Sequence, residues 1–171
     1  LFKLFEKKNL RFEIIQIIIS TFTAILKPLT MSYVSILIHC VWSTKDRAPL
    51  LKNPHYRYEL FAHIRKYSKS KGILTDYIGG FTNHVHLLLF LKPGQSLAEI
   101  EKLIKGESSH WYSQMKYGHL EWQDDYFAIS VSPDRLETVR RYIRKQEEHH
   151  KKYSFGEEYE SFLKILHKEG L

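Results

Sequence analysis

The chain has 171 residues, of which 43% are hydrophobic, so it can bury one sizeable core and nothing in it indicates a second domain. It carries 26 Lys and Arg residues against 19 Asp and Glu residues, and the formal charge of +7 favours a polyanionic partner such as nucleic acid. The single cysteine, Cys40, excludes an internal disulfide and indicates a reducing, cytoplasmic setting.

Residues 1–30 differ in composition from the rest of the chain. They begin with basic and aromatic residues and continue into an isoleucine-rich run at 14–19. The apolar part is shorter than the ~20 residues that span a bilayer, and no clear cleavage site for a secretory signal follows it. We therefore expect no membrane segment. We interpret residues 1–30 as an N-terminal extension, with Met31 as the candidate natural start, and residues 31–171 as a single domain that carries the function.

Residue patterns downstream of Met31 predict seven elements and a short terminal helix at 159–166. In chain order the seven are a strand at 33–42, a helix at 55–70, strands at 73–79 and 81–91, a helix at 96–115, a strand at 121–131 and a helix at 132–152. This order is typical of the split βαβ, or ferredoxin-like, arrangement with one helix added. The predicted fold class is α+β, with an antiparallel sheet covered by helices on one face.

Two histidines occupy alternate positions of the predicted third strand. Because strand side chains alternate between faces, His84 and His86 point to the same side, where two imidazoles can share a cation. With 10 histidines in the chain, about 0.6 such pairs arise by chance. The pair alone is therefore equally compatible with two half-buried strand histidines that bind nothing.

Tyr142 and Gln146 lie four residues apart in the predicted last helix, and so on one helical face. A tyrosine hydroxyl can attack phosphorus when a metal ion polarises the phosphate, and an amide oxygen suits a hard divalent cation. Taken alone, the spacing is explained more simply by a tyrosine packed at the helix edge and a solvated glutamine.

Five segments in a fixed order favour the functional interpretation over the structural one. They are Trp42-Ser43-Thr44-Lys45 with Arg47, Asn83-His84-Val85-His86-Leu87-Leu88, Lys105-Gly106-Glu107-Ser108-Ser109, Trp122-Gln123-Asp124-Asp125-Tyr126-Phe127, and Tyr142 with Gln146. The resemblance that they indicate covers nearly all of residues 32–150. In this series the chain resembles the single-tyrosine HUH transposases of bacterial insertion sequences and their REP-associated relatives.

The resemblance implies a chemistry and a set of site residues. Tyr142 would be the nucleophile, and His84, His86 and Gln146 would hold a divalent ion, Mg²⁺ or Mn²⁺. The enzyme would cleave single-stranded DNA, keep the 5′ end as a phosphotyrosine and rejoin strands by the reverse attack of a 3′-hydroxyl. It would recognise a DNA hairpin and act as a homodimer, in which the tyrosine helix of one subunit completes the metal site of the other.

Other parts of the site stay open at the sequence level. The third metal ligand is open because Gln146 is followed by Glu147, Glu148, His149 and His150, any of which could replace or join the amide. Basic residues could neutralise DNA phosphates, with an affinity that falls as salt rises. The candidates are Lys45, Arg47, Lys105, Arg141, Arg144 and Lys145.

Two other functions remain compatible with the same residues. One is a non-catalytic, domesticated nucleic-acid-binding domain of the same fold. The other is a metal hydrolase in which the histidine pair activates water and Tyr142 is dispensable. The substitution Tyr142→Phe separates them, because hydrolysis would survive it and strand transfer would not.

Overall fold

The structure, a computed structural model, describes residues 34–168, so the predicted extension at 1–30 lies outside the described residues. The strands are β1 (Ile36–Ser43), β2 (Leu74–Gly80), β3 (His84–Leu91) and β4 (Phe127–Ser130). The helices are α1 (Pro54–Ser70), α2 (Leu97–Gln114), α3 (Leu136–Arg144), α4 (Gln146–His149) and α5 (Phe155–Lys168), with 3-10 turns at Lys45–Arg47 and Pro133–Arg135.

The four strands form one sheet in the order β2-β3-β1-β4, and every neighbouring pair is antiparallel. The two central strands, β1 and β3, pair over eight residues, from Ile36 opposite Leu91 to Ser43 opposite His84. This is the strand order of the split βαβ arrangement. The predicted α+β class and antiparallel sheet are therefore confirmed.

One face of the sheet packs against α1 and α2. The core there joins alternate residues of β1 and β3 to apolar residues of the two helices. Asn53 begins α1 by accepting hydrogen bonds from the backbone N–H groups of His55 and Tyr56, and Ser96 begins α2 by accepting from that of Glu99. Helix α2 therefore starts at the capping residue that its sequence predicts.

The opposite face is covered as well, which corrects the prediction that helices lie on one face only. Leu37, Val41 and Leu88 point to this side, where they pack against Ile143 of α3 and Phe162 of α5. Leaving these apolar side chains in water would cost roughly 1.5–3 kcal/mol each. The sequence pattern did not distinguish a sheet covered on one face from a sheet covered on both, because both faces of β1 and β3 are apolar along most of their length.

The C-terminal elements also differ from their predicted bounds. The helix predicted at 132–152 is interrupted at Lys145, whose backbone (φ −97°, ψ 20°) separates α3 from α4. Helix α5 begins at Phe155 rather than at residue 159, after a reciprocal cap between Ser154 and Glu157. Among the helices of residues 34–168, none is long and apolar enough to cross a membrane.

Strand β4 is shorter than the strand predicted at 121–131. Only Phe127–Ser130 pairs continuously with β1, while Trp122 makes a single bridge to Thr44. Between these two places the chain leaves the sheet, and the ammonium group of Lys105 donates to the backbone carbonyls of Gln123, Asp124 and Asp125 at 2.9–3.1 Å.

Candidate active site

His84 and His86 lie side by side on the second face of the sheet, as their strand spacing predicts. Both side chains are fully buried, and Val85 between them points into the core on the first face. The two rings meet edge to face with centroids 4.9 Å apart. Strand alternation therefore brings two imidazoles to one buried location.

Hydrogen bonds place the ring proton of His84 on Nδ1. Its Nδ1 lies 2.9 Å from Oδ1 of Asn83, whose amide NH₂ in turn donates to the carbonyl of Arg47. Because Asn83 Oδ1 can only accept, Nδ1 of His84 carries the hydrogen and Nε2 carries a lone pair. Burial, with the neighbouring His150, lowers the pKa of His84 to about 3, so the ring is neutral at pH 7.

Two further lone pairs point at Nε2 of His84. His150 donates through Nδ1 to the carbonyl of Tyr153 at 2.9 Å, which leaves its Nε2 as an acceptor 3.2 Å from Nε2 of His84. Oε1 of Gln146 lies 3.1 Å from Nε2 of His84 and 2.9 Å from Nε2 of His150. Because Nε2 of Gln146 donates to Oε1 of Glu158 at 3.3 Å, none of these three atoms carries a hydrogen, and their convergence favours a cation.

Glu158 completes this cluster from α5. Its Oε2 lies 3.3 Å from Nε2 of His150, and the ligand atoms of His84, His150 and Glu158 lie within 4.8 Å of one another. Burial raises the pKa of Glu158 to about 8. Two atoms in the cluster, Oε2 of Glu158 and Nε2 of His86, are buried and lack a hydrogen-bond partner among the described residues. The donor set of imidazoles, a carboxylate and an amide oxygen fits a divalent cation.

His86 is held by a residue that sequence reasoning passed over. Its Nδ1 lies 3.0 Å from Nε2 of His39 on β1, and the two rings stack with centroids 5.2 Å apart. His39 is buried, and burial lowers its pKa to about 4. A neutral His39 can accept through Nε2 the hydrogen on Nδ1 of His86, which turns the Nε2 lone pair of His86 toward Glu158, 3.5 Å away.

Tyr142 on α3 reaches the same cluster. Its ring centroid lies 5.7 Å from that of His86, and its hydroxyl donates a hydrogen bond to Oε1 of Glu158. Helix α3 can approach the sheet because β2 has Gly79 there, where a Cβ atom would lie only 2.7 Å from Cγ2 of Ile143. The chain thus brings Tyr142 and Gln146 together beside the histidines, although Lys145 interrupts the helix between them.

The tyrosine and the histidines of the site come from one chain, which concerns how a dimer would share its active sites. The resemblance implied that the tyrosine helix completes the metal site of a second subunit. Here Tyr142 and His86 of the same chain are neighbours. A homodimer stays a prediction, but no exchange of helices is needed to assemble this cluster.

Glu158 is a second residue of the site, after His39, that the sequence analysis missed, since residues 153–158 match no motif. The available signal was the spacing of Ser154 and Glu157, which is that of a capping box and predicts a helix start at residue 155. A helix from Phe155 brings Phe155, Glu158 and Phe162 to one face. That His150 joins the site agrees with the alternative left open for the third ligand.

The basic residues predicted to bind DNA lie at three places. Arg141 and Lys145 line a depression beside Tyr142 together with Lys151 and Lys152. Arg144 lies on the other side of α3, with its guanidinium 5.6 Å from the ring centre of Tyr77. Lys45, Arg47 and Lys105 lie near the β1–β4 end of the sheet, where Lys105 is engaged with backbone carbonyls. DNA contact stays a prediction for all six.

Residues 32–146 match the model of the IS200-like transposase family, and the chain belongs to that family. The resemblance stated from the sequence is thereby confirmed.

Individual relatives agree with this assignment. The ISDra2 transposase TnpA of Deinococcus radiodurans is 28% identical over 115 residues, which cover 63% of this chain and 81% of the relative. A crystal structure from D. radiodurans R1 described as a transposase superposes with a TM-score of 0.54 at 22% identity, over 71% of this chain and 98% of that one. The structure of a REP-associated tyrosine transposase bound to a REP hairpin superposes with a TM-score of 0.53 at 15% identity, over 73% of this chain and 74% of that one. The two structures support the fold.

Proposed function

We propose that this transposase cleaves and rejoins single-stranded DNA through a covalent bond between Tyr142 and a 5′ phosphate. The observation that carries the proposal is that the hydroxyl of Tyr142 reaches a cluster of buried His84, His86 and Glu158, which His150 joins with a side chain that is 2% exposed. A merely structural tyrosine would not need four ionisable neighbours whose side chains are almost entirely withdrawn from solvent.

The proposed cleavage step replaces one phosphorus–oxygen bond with another and transfers two protons. The phenolic oxygen of Tyr142 attacks phosphorus while its proton passes to Oε1 of Glu158, the atom to which the hydroxyl already donates. The bond from phosphorus to the 3′ oxygen breaks, and that oxygen takes a proton from water. Rejoining reverses these transfers, with a 3′-hydroxyl as the nucleophile and Glu158 returning the proton to Tyr142. The phosphoester energy is retained, so no external energy source is required.

The proposed metal ligands are His84, His150, Glu158 and Gln146, with His86 adjacent. Oxygen donors suit Mg²⁺, and the imidazoles shift the preference toward Mn²⁺. When bound, either ion polarises phosphate oxygens and favours the ionised carboxylate of Glu158. The protein's own part is to hold neutral imidazoles and their lone pairs toward one point, which Asn83 and the carbonyl of Tyr153 accomplish through hydrogen bonds.

We propose a hairpin-bearing single strand as the substrate. Support comes from the REP hairpin bound by the structural relative and from the four cations around Tyr142, which are Arg141, Lys145, Lys151 and Lys152. Cations in this position would neutralise the phosphates next to the one attacked.

The test is incubation with end-labelled single-stranded oligonucleotides that contain hairpins, in Mn²⁺ or Mg²⁺, followed by denaturing gels. A protein-linked band should form, and should disappear with chelator and in Tyr142→Phe. The matched control is Tyr153→Phe, because Tyr153 lines the same depression and is 52% exposed. Tight binding without any linked band would favour the non-catalytic DNA-binding domain. Cleavage that survives Tyr142→Phe would favour the hydrolase.

A further inference from the structure

A cleft of about 570 Å³ lies between α1, β2 and α3, on the side of α3 away from the depression beside Tyr142. Its volume is within the range of roughly 300–1,000 Å³ typical of small-molecule pockets, so it can admit a nucleotide. None of the five sequence segments that resemble the family includes its α1 side. The residues that matter below are Tyr58, Arg65, Lys66, Lys69, Tyr77 and Arg144.

The walls of the cleft carry excess positive charge. Four cationic side chains line it, against the single carboxylate of Glu147, which is already paired with Arg57 at 2.6 Å. Arg65, Lys66 and Lys69 are exposed on α1, and no carboxylate among residues 34–168 forms an ion pair with them. Uncompensated cations at the rim of a cavity attract a polyanion and give binding that weakens with salt.

Two aromatic rings in the cleft are held in place. The hydroxyl of Tyr58 donates to Oε1 of Glu147 at 2.9 Å, although the residue is 56% exposed. The hydroxyl of Tyr77 accepts from Nε of Arg144 at 3.3 Å, and that guanidinium also lies against the ring. Rings fixed before binding lose little entropy when a base stacks on them. A base stacks in this way only when it is unpaired.

Gln146 borders both the cleft and the active site. This residue lines the cleft, and its Oε1 lies 3.1 Å from Nε2 of His84. A phosphate at the histidine cluster would therefore be separated from the cleft by this one side chain. We infer that the cleft binds unpaired nucleotides flanking the phosphate at the active site, with a base on Tyr58 or Tyr77 and phosphates on Arg65, Lys66 and Lys69. This inference rests on the proposed function for its choice of substrate.

The experiment measures affinity and does not depend on catalysis. Fluorescence anisotropy with a labelled unpaired 12-mer in chelator gives Kd across a salt series for the wild type, Tyr58→Leu, Tyr58→Phe and the double variant Lys66→Gln with Lys69→Gln. We expect Tyr58→Leu to weaken binding about tenfold and Tyr58→Phe, which keeps the ring, to stay within about twofold. The double variant should reduce the slope of log Kd against log salt by about 1.4, or about 0.7 per cation.

Controls separate the cleft from general surface charge and from folding. Lys102→Gln with Lys164→Gln removes two exposed cations from α2 and α5, which do not line the cleft, and should change the affinity less than the cleft pair. A duplex 12-mer should be insensitive to Tyr58→Leu, and calorimetric Mn²⁺ binding should be unchanged in every variant. Equal effects of the two lysine pairs, or equal losses for single strand and duplex, would overturn the inference.

The two proposals fail separately. If cleft variants lose single-strand affinity while no adduct forms on any tyrosine, the cleft stands and the covalent mechanism does not. If adducts form on wild type and on cleft variants with the same Kd for the 12-mer, the mechanism stands and the cleft assignment is wrong.

Discussion

The hydroxyl of Tyr142 donates a hydrogen bond to the carboxylate of Glu158, and so joins α3 to α5 directly above the histidine pair. The other oxygen of the same carboxylate lies 3.3 Å from His150. Glu158 therefore connects the candidate nucleophile to the candidate metal ligands, and several tests follow from that position.

Replacing Glu158 with Gln should impair both metal binding and DNA linkage. The substitution keeps the shape but removes the charge and the proton acceptor, so we expect Mn²⁺ affinity to fall roughly 10–100-fold and adduct formation by about 10²–10⁴. Glu157→Gln is the control, because Glu157 is exposed and a glutamine can keep its cap with Ser154. Calorimetry and single-turnover gels measure the two effects. Unchanged metal affinity in Glu158→Gln would remove Glu158 from the ligand set.

His39 should act as a positioning residue for His86. His39→Leu removes the acceptor 3.0 Å from Nδ1 of His86, and we expect a loss of Mn²⁺ affinity of about 10–100-fold. His39→Gln places an amide oxygen near the same point and should restore most of it. Calorimetric titration with Mn²⁺ gives both values at matched folded fractions. If Gln and Leu lose affinity equally, the role of His39 is packing alone.

The adjacent histidines 149 and 150 should differ sharply. His150 has its Nε2 within 3.3 Å of His84, Gln146 and Glu158, whereas Nε2 of His149 is 3.8 Å from Glu158 and its side chain is 25% exposed. We expect His150→Ala to lower Mn²⁺ affinity at least tenfold and His149→Ala to change it by less than about threefold. The reverse ranking would mean that the third imidazole at the centre is His149.

Mixing two inactive variants tests whether the site is built within one chain. Tyr142→Phe and His84→Ala each remove one essential group, and if both groups must come from the same chain the mixture should form no adduct. An exchanged tyrosine helix would instead restore an active site in the mixed dimer, which denaturing gels would detect as a linked band. Recovery of the band would support the composite site that the family resemblance implied.

Buried Glu101 on α2 predicts a pH dependence of stability that is independent of the active site. Neither carboxylate oxygen has a nitrogen or oxygen partner among the described residues, and burial raises the pKa of Glu101 to about 7, from an ordinary 4.5, against the opposing effects of Lys105 and the Cys40 thiol. The folded state therefore binds more protons than the unfolded chain between pH 4.5 and 7, and this contribution to stability is lost as pH rises through that window.

Glu101→Gln should flatten this dependence. We expect the fall in the free energy of unfolding between pH 5 and pH 8 to be smaller than in the wild type by about 2 kcal/mol, measured by urea denaturation. Glu99→Gln, at an exposed position of the same helix, should leave it unchanged. An identical pH profile in Glu101→Gln and the wild type would show that Glu101 keeps its charge in the folded protein.

The local features of the site could be predicted from the sequence, and the distant ones could not. That His84 and His86 share a face follows from strand alternation alone, and the spacing of Tyr142 and Gln146 from one helical turn. Glu158 is brought to them only by the packing of α5, which depends on Phe155 and Phe162 filling the second face of the sheet. Sequence spacing contains no information on that contact.

His39 shows the same limit for the fold. In the sequence His39 lies within an apolar strand, where a histidine is most simply interpreted as part of the core. Its role depends on the pairing of β1 with β3, which places Val41 opposite His86 and brings the ring of His39 over that of His86. Because both faces of the central strands are apolar, the strand pattern also did not predict the second layer of helices.

The central claim is that Tyr142 becomes covalently linked to DNA, and the most direct measurement is mass spectrometry of peptides from the reacted protein. The chain has 11 tyrosines, so the position of the nucleotide adduct discriminates among them. We predict that the adduct lies on Tyr142 alone, requires Mn²⁺ or Mg²⁺ and is absent in His84→Ala. An adduct on any other residue, or cleaved DNA with no adduct at all, would contradict the account.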